Sequence, residues 1–297
     1  MKPFVKWAGG KTRLLSELER SLPKDFDEWE DVAYVEPFVG GGAFLFHMLK
    51  THRNLNTVII NDINKTLVKA YRIIKQDPTE LISEIKSLAL IYNSKKDIEE
   101  KRKFYYFVRD LYNTVYNDID EMPIQRLACF FFLNQTCFNG LYRENKKGFF
   151  NVPYGNYINP NICNEERLWE AHKVLANVTI LEGDFNQVGM NLRNQHVFFY
   201  LDPPYKPISE TSTMFTSYDR SGFNDEKLLE LKAMCDQIHA NGWKFMMSNS
   251  DSRTEDGQSY FENLYRGYLI KRINVTRLIN TYNASQRRLM EVLITNY

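Results

Sequence analysis

Val32-Ala33-Tyr34-Val35-Glu36-Pro37-Phe38-Val39-Gly40-Gly41-Gly42-Ala43-Phe44 decides the fold. The apolar run Val32–Glu36 reads as a parallel strand buried on both faces, because it does not alternate with polar residues. Three glycines and then a helical pattern follow, so backbone can approach a ligand at the strand's C-terminal end. Asp62 stands 22 residues beyond Gly40 and closes the next strand, Val58–Asn61. A carboxylate there is placed to accept hydrogen bonds from a ribose. The spacing is not G-x-G-x-x-G, since no glycine lies three residues after Gly42. The turn therefore lacks the third glycine of a pyrophosphate site, and a ligand with adenosine but no pyrophosphate fits it better than a dinucleotide.

Outward from this stretch, Val178–Leu181, Val197–Leu201 and Lys244–Met247 read as further buried strands. Asn224 is a predicted N-cap for a helix to about Ala240, with Gly242 as its stop signal, and Asn164 opens another that ends before Asn177. The interval between the second and third strands is too long for one crossover helix. It holds predicted helices at Thr79–Tyr92, Ile98–Tyr116 and Ile124–Leu133, then a polar loop and hairpin over Asn134–Pro160. An inserted domain is thus expected at 64–160, with 1–63 and 161–297 forming the main domain. Tyr268–Val275 and Arg288–Tyr297 read as a closing pair of strands. The expected fold class is α/β: a doubly wound, mostly parallel sheet with a C-terminal antiparallel hairpin and a mainly helical insert.

Composition sets bounds. Of 297 residues, 43% are hydrophobic and 25% charged, as in ordinary folded proteins. The 20 Phe and 18 Tyr suit either a bulky core or base-stacking surfaces. A net charge of +1 argues against an indiscriminate nucleic-acid coat but leaves room for local patches. Two acid-free basic runs exist: Lys2, Lys6, Lys11 and Arg13, and later Arg266, Lys271, Arg272, Arg277, Arg287 and Arg288. The four cysteines form no CxxC pair, so neither a disulfide framework nor a zinc site is expected. With no apolar leader and no membrane-length run, a cytoplasmic location and no membrane partner are expected. Trp7-Ala8-Gly9-Gly10-Lys11-Thr12 imitates the end of a P-loop, yet Val5 occupies the place of its first glycine and no strand precedes it, which excludes ATP binding there.

The strongest chemical signal is Asp202-Pro203-Pro204-Tyr205, directly after the strand Val197–Leu201. Ligands sit at such strand ends. The prolines fix φ and donate nothing, so carbonyls can turn into a pocket. Asp202 and the Pro203 carbonyl then offer two acceptors for the two hydrogens of an amino group, and Tyr205 offers a ring to stack on a planar base. An exocyclic amine on adenine is poorly nucleophilic because its lone pair is delocalised. Two acceptors favour a pyramidal nitrogen that can attack an electrophilic carbon such as that of a sulfonium. Catalysis then consists of positioning and preorganised dipoles, without metal, histidine or activated serine.

Taken together, Lys6–Lys11, Glu36–Gly42, Asp62, Asp184-Phe185 and Asp202–Tyr205 resemble the Dam family of adenine-N6 DNA methyltransferases, in the motif order of its alpha group and nearest to members acting at GATC. The resemblance spans nearly the whole chain. It implies a methyltransferase fold that uses S-adenosyl-L-methionine and releases S-adenosyl-L-homocysteine, with no metal. Trp7, Gly10, Lys11, Glu36, Phe38, Gly40, Asp62, Asp184, Phe185 and Asp202 would line the cofactor site, Asp184 and Phe185 taking the adenine. The insert would be the target-recognition domain for double-stranded DNA. Arg143 would read guanine O6 and N7, Leu141 and Pro153 would meet thymine methyls, and Lys6 the outer guanine. Phe138 and Asn139 would wedge into the duplex as the adenine flips out, with Asn151 in the following hairpin. Ser209 would touch a phosphate in a segment covering the site. Where relatives carry basic residues after the hairpin glycine, this chain has Asn156-Tyr157-Ile158-Asn159, which shifts phosphate contacts to Lys146, Lys147 and the C-terminal basics. A cognate restriction endonuclease acting separately is a further implied partner. The rivals are the same methyl transfer to an RNA adenine or a protein glutamine, a dinucleotide-dependent oxidoreductase, and a silent DNA-binding module.

Overall fold

The structure, a computed structural model, describes residues 1–114, 122–206, 223–254, 257–276 and 288–297. Its strands are β1 (Val32–Glu36), β2 (Leu55–Asp62), β3 (Val178–Glu182), β4 (His196–Leu201), β5 (Lys244–Ser250), β6 (Leu269–Thr276) and β7 (Arg288–Thr295). They form one sheet in the order β3-β2-β1-β4-β5-β7-β6. β1 pairs in parallel with β2 and β4, and β4 with β5. β7 runs antiparallel between β5 and β6. This is the expected mixed α/β sheet with its C-terminal antiparallel strands. Strand order reverses between β1 and β4, the kind of switch point where open α/β sheets hold ligands. All five residues of β1 are buried, as are Val197–Leu201 of β4, which is why neither strand alternates in sequence.

The helices are α1 (Leu15–Arg20), α2 (Ala43–Thr51), α3 (Lys65–Gln76), α4 (Thr79–Asn93), α5 (Ile98–Thr114), α6 (Ile124–Thr136), α7 (Glu165–Leu175), α8 (Asp225–Ala240) and α9 (Tyr260–Leu264). Asn164 and Asn224 cap α7 and α8 as expected, their side chains accepting from Arg167 and Lys227 N–H. Helix α3 is an addition to the sequence reading. Asn64 caps it through Leu67 N–H, and it buries Leu67, Tyr71 and Ile74 on one face. Helix α6 runs on to Thr136 rather than ending at Leu133. The hairpin that follows is held by isolated antiparallel bridges, Cys137 to Tyr154 and Glu144 to Phe150, instead of a continuous ladder.

The chain divides into two compact units. The first comprises Met1–Leu15, Val39–Arg53 and Asn61–Gln187; the second comprises Ser16–Phe38, Asn54–Ile60 and Val188–Tyr297. Segment 64–160 lies wholly within the first. The aromatic richness is mainly core: Tyr71, Tyr92, Tyr105, Phe130 and Phe132 are fully buried in the first unit, and Tyr34, Phe198, Phe199 and Tyr200 in the second. Among the described residues no helix is long and apolar enough to cross a membrane.

Candidate active site

In the first unit the glycine turn is fastened to the end of β2. Gly40 has a left-handed φ of 49°, and its N–H donates to Asp62 Oδ2 at 2.8 Å. Asn64 N–H reaches the other carboxylate oxygen at 2.9 Å, and the Tyr71 hydroxyl donates to the Gly40 carbonyl at 3.1 Å. A Cβ on Gly40 would lie 2.9 Å from Trp7 Cδ1, so only glycine admits both this φ and the indole against the turn. Asp62 is half-buried. Burial pushes its carboxyl pKa up, against the opposing N–H bonds from Asn64, Gly40 and Ile63. Gly183 N–H donates to the Asp62 carbonyl at 3.1 Å, and Asn61 Nδ2 to the Gly183 carbonyl at 3.0 Å. The turn bearing Asp184 and buried Phe185 is thereby set beside Asp62. Gly10 N–H closes on the Trp7 carbonyl at 3.3 Å, and Lys11 is buried, with Nζ donating to the Gly9 carbonyl at 2.8 Å. Trp7, Gly10, Lys11, Gly40, Asp62, Asp184 and Phe185 thus belong to one linked set of turns.

In the second unit, Glu36 and Asp202 lie at the C-terminal ends of neighbouring β1 and β4. Glu36 is buried and accepts the Tyr34 hydroxyl at 2.7 Å. The turn Asp202–Tyr205 is anchored at its far side. The Tyr205 hydroxyl donates to buried Glu291 of β7 at 2.7 Å. Lys206 N–H donates to Asn249 Oδ1 at 3.1 Å, while its carbonyl accepts the hydroxyls of Ser250 and of Ser252, the latter at 3.0 Å. Burial, then the charges of Asp202 and Glu291, push the Tyr205 pKa far up, so its hydroxyl stays a neutral donor. Buried Tyr200 is pushed up the same way, by burial and then by Asp202, Glu36 and Glu291. These strand ends therefore carry a field of three carboxylates. Phe38 sets its ring edge-on against Phe223, centroids 5.7 Å apart.

The segment after α6 presents apolar and cationic groups together. Phe138 is 47% exposed and Leu141 37%, both high for large apolar residues. Asn139 holds a left-handed φ of 55°, a conformation asparagine tolerates. Phe138 N–H donates to the carbonyl of exposed Pro153 at 2.8 Å. Exposed Arg143 is held by Asn151, with Nε to Oδ1 at 2.7 Å and Nη2 to the carbonyl at 3.2 Å. Lys6 lies along Gly140, where a Cβ would meet its own Cβ at 2.7 Å. Ser209 lies outside the described residues.

Residues 7–280 match the family model described as D12 class N6 adenine-specific DNA methyltransferase. The chain belongs to that family. The methyltransferase is 45% identical to the type II methyltransferase M.MjaIII of Methanocaldococcus jannaschii, over 100% of this chain and 99% of the relative. It is 35% identical to the type II methyltransferase M1.LlaDCHI of Lactococcus lactis subsp. cremoris, over 100% and 96%. It is 30% identical to a DNA adenine methylase of Vibrio cholerae, over 98% and 95%.

Three polar residues of this methyltransferase escaped the sequence reading: Glu291 and Asn249, which fasten the Asp202–Tyr205 turn, and Asn134, whose buried amide engages Lys6. Their partners lie 86, 43 and 128 residues away, so no local spacing could announce them. The C-terminal basic run differs from expectation. Lys271 pairs with Glu17, and Arg272 with Asp251 and Glu262, so acids from other elements take up these cations. Arg266, Lys146 and Lys147 are exposed, and Arg277 and Arg287 lie outside the described residues.

Proposed function

We propose that this DNA adenine methyltransferase takes its methyl group from S-adenosyl-L-methionine, releasing S-adenosyl-L-homocysteine, and acts on an adenine flipped out of double-stranded DNA at GATC. The observation that carries the reading is the Asp202-Pro203-Pro204-Tyr205 turn at the switch point, fastened through Tyr205 and Lys206. Asp202 and the Pro203 carbonyl accept the two N6 hydrogens, and Tyr205 stacks on the base while Glu291 fixes its ring. Pro204 shapes the turn. Preorganised acceptors of this kind act without reorganising at the moment of reaction.

The donor set fits the cofactor. Both Asp62 oxygens accept backbone N–H bonds, which orient the carboxylate, and ribose hydroxyls are its proposed further partners. Gly40 N–H is spent on Asp62 and Gly42 N–H on Val39, which leaves the turn poorly equipped for a pyrophosphate. Trp7, Gly10, Lys11, Glu36, Phe38, Gly40, Asp62, Asp184, Phe185 and Asp202 are the assigned cofactor residues. The carboxylates of Glu36, Asp202 and Glu291 suit a positively charged donor. When bound, S-adenosylmethionine supplies an activated methyl on its sulfonium.

Segment 64–160 serves as the target-recognition domain, and 1–63 with 161–297 as the catalytic domain. Exposed Phe138 and Leu141 with the preset Arg143 support major-groove readout and a wedge, with Lys6, Asn139, Asn151 and Pro153 completing the surface and Ser209 assigned to a phosphate. Likeness to type II methyltransferases supports work alongside a separate restriction endonuclease, and the proposed place of action is DNA in the cytoplasm. The test is incubation of the protein and labelled S-adenosylmethionine with DNA, followed by mapping of modified bases. N6-methyladenine confined to GATC is expected; label scattered over other tetranucleotides removes the site assignment.

A further inference from the structure

Asn134 lies in the last turn of α6, two residues before the helix gives way to the recognition segment. It is 2% exposed, and its amide is used twice on one residue: Lys6 N–H donates to Oδ1 at 2.9 Å, and Nδ2 donates to the Lys6 carbonyl at 2.7 Å. The pairing imitates one rung of a β-ladder between segments 128 residues apart. Donor and acceptor match in only one orientation of the amide, so this is a keyed contact rather than generic packing. Buried polar pairs of this kind are costly to leave half satisfied.

What Asn134 holds touches two surfaces at once. Lys6 runs along Gly140, whose φ is 61° and whose Cβ, if present, would meet Lys6 Cβ at 2.7 Å. Lys6 Nζ reaches the Gln135 carbonyl at 3.4 Å. The next residue, Trp7, stacks on Tyr142 with centroids 5.2 Å apart and planes at 24°. The same indole lies against the glycine turn: a Cβ on Gly40 would be 2.9 Å from Cδ1, and one on Gly41 3.0 Å from Trp7 Cβ. The strap Lys6–Trp7 is thus clamped between the glycine turn and the segment Gly140–Tyr142, with Asn134 as its keyed fastening. Such tight packing transmits displacement instead of absorbing it.

We propose that Asn134 is a positioning residue that links occupancy of the donor site to discrimination of the DNA sequence, by fixing the strap Lys6–Trp7 against the recognition segment. This rests on the donor and recognition assignments made above. Linkage is reciprocal: a bound donor analogue should tighten cognate DNA by the same factor by which cognate DNA tightens the analogue.

The experiment measures binding of a GATC duplex and of a duplex with its outer guanine replaced, each with and without saturating S-adenosylhomocysteine. In the unmodified protein the product should improve discrimination between the duplexes about tenfold, within the usual span of such couplings. Asn134→Ala should reduce that factor below about twofold, while affinity for S-adenosylhomocysteine without DNA changes little, and Asn134→Gln should restore only part of it. Should Asn134→Ala not fold, Tyr142→Leu cuts the Trp7 stack away from the α6 core and must give the same loss of coupling. Coupling that persists in every variant that folds, or that is missing from the unmodified protein, overturns the proposal. Methylation of the GATC duplex by the unmodified protein is the separate control: coupling absent from the unmodified protein while it still methylates sinks only the linkage, whereas methylation of neither duplex removes the underlying assignments as well.

Discussion

Arg143, the proposed reader of guanine, is held in place by its own hairpin. Asn151 takes its Nε and one Nη2 hydrogen, which turns the rigid fork while leaving the side chain exposed. A preset guanidinium loses less freedom on forming a bidentate pair with guanine. Arg143→Ala should therefore cost about 1–3 kcal/mol of discrimination at one base pair and weaken cognate binding. Methylation rates on duplexes with single-base changes check this, and an unchanged preference profile would remove the assignment. Asp62 supplies a pH test. Burial raises its pKa, so it takes up a proton at a higher pH than an ordinary aspartate, about 3.9. Protonation removes acceptor capacity, so affinity for S-adenosylhomocysteine should fall on acidification, beginning above the ordinary range and without that inflection in Asp62→Asn. The stability term has the opposite sign. The folded carboxyl holds its proton more tightly than the unfolded one, so this contribution is full below the unfolded pKa and is lost as pH rises through the folded one.

At the scale of elements, the strands and capped helices were legible because each rests on local signals. Unbroken apolar runs marked β1 and β4, and Asn164 and Asn224 marked helix starts. Helix α3 had its signal too, in Asn64 and the spacing Leu67, Tyr71, Ile74, but it follows β2 so closely that the pattern merges with the strand end. The extension of α6 to Thr136 rests on one long-range pairing and one local bond: Lys6 satisfies the Asn134 amide, and Thr136 Oγ1 donates to the Phe132 carbonyl one turn back in the helix. Polar residues that read as loop are thus buried in helix. The segment beyond α6 leaves Phe138 47% exposed, so Phe138→Ala should change stability by no more than about 0.5 kcal/mol. In the proposed wedge role its effect is on DNA. Binding to a duplex with an intact target pair should weaken more than binding to one whose target adenine is mismatched and already easy to extrude. Equal weakening on both duplexes would contradict the wedge, and titration of the two measures it.

Over the whole molecule the net charge is only +1, and Lys271 and Arg272 are engaged by acids of the same chain, so DNA binding is expected to draw on a local set of cations. The logarithm of DNA affinity should fall with the logarithm of salt by about 0.9 per phosphate, with a total slope well short of the value near 10 reached by strongly basic binders. A slope that steep in fluorescence titrations would contradict the charge reading. The turns proposed to carry the chemistry, Glu36–Gly42 and Asp202–Tyr205, are written contiguously, and the structure sets both at strand ends. Glu291 and Asn249 could not be read locally, since they meet the Asp202–Lys206 segment only through the sheet, where β7 and β5 bring them from far along the chain. Those distant anchors fasten the turn, and on that fastening rests the proposed role of Asp202 and the Pro203 carbonyl in orienting the adenine amine. The decisive measurement is the single-turnover rate of methyl transfer to a GATC duplex by Asp202→Ala, beside its thermal midpoint and its affinity for DNA. Loss of at least about a hundredfold in rate, with a folded protein that still binds the duplex, is expected; a rate within a few fold of the unmodified protein would contradict it.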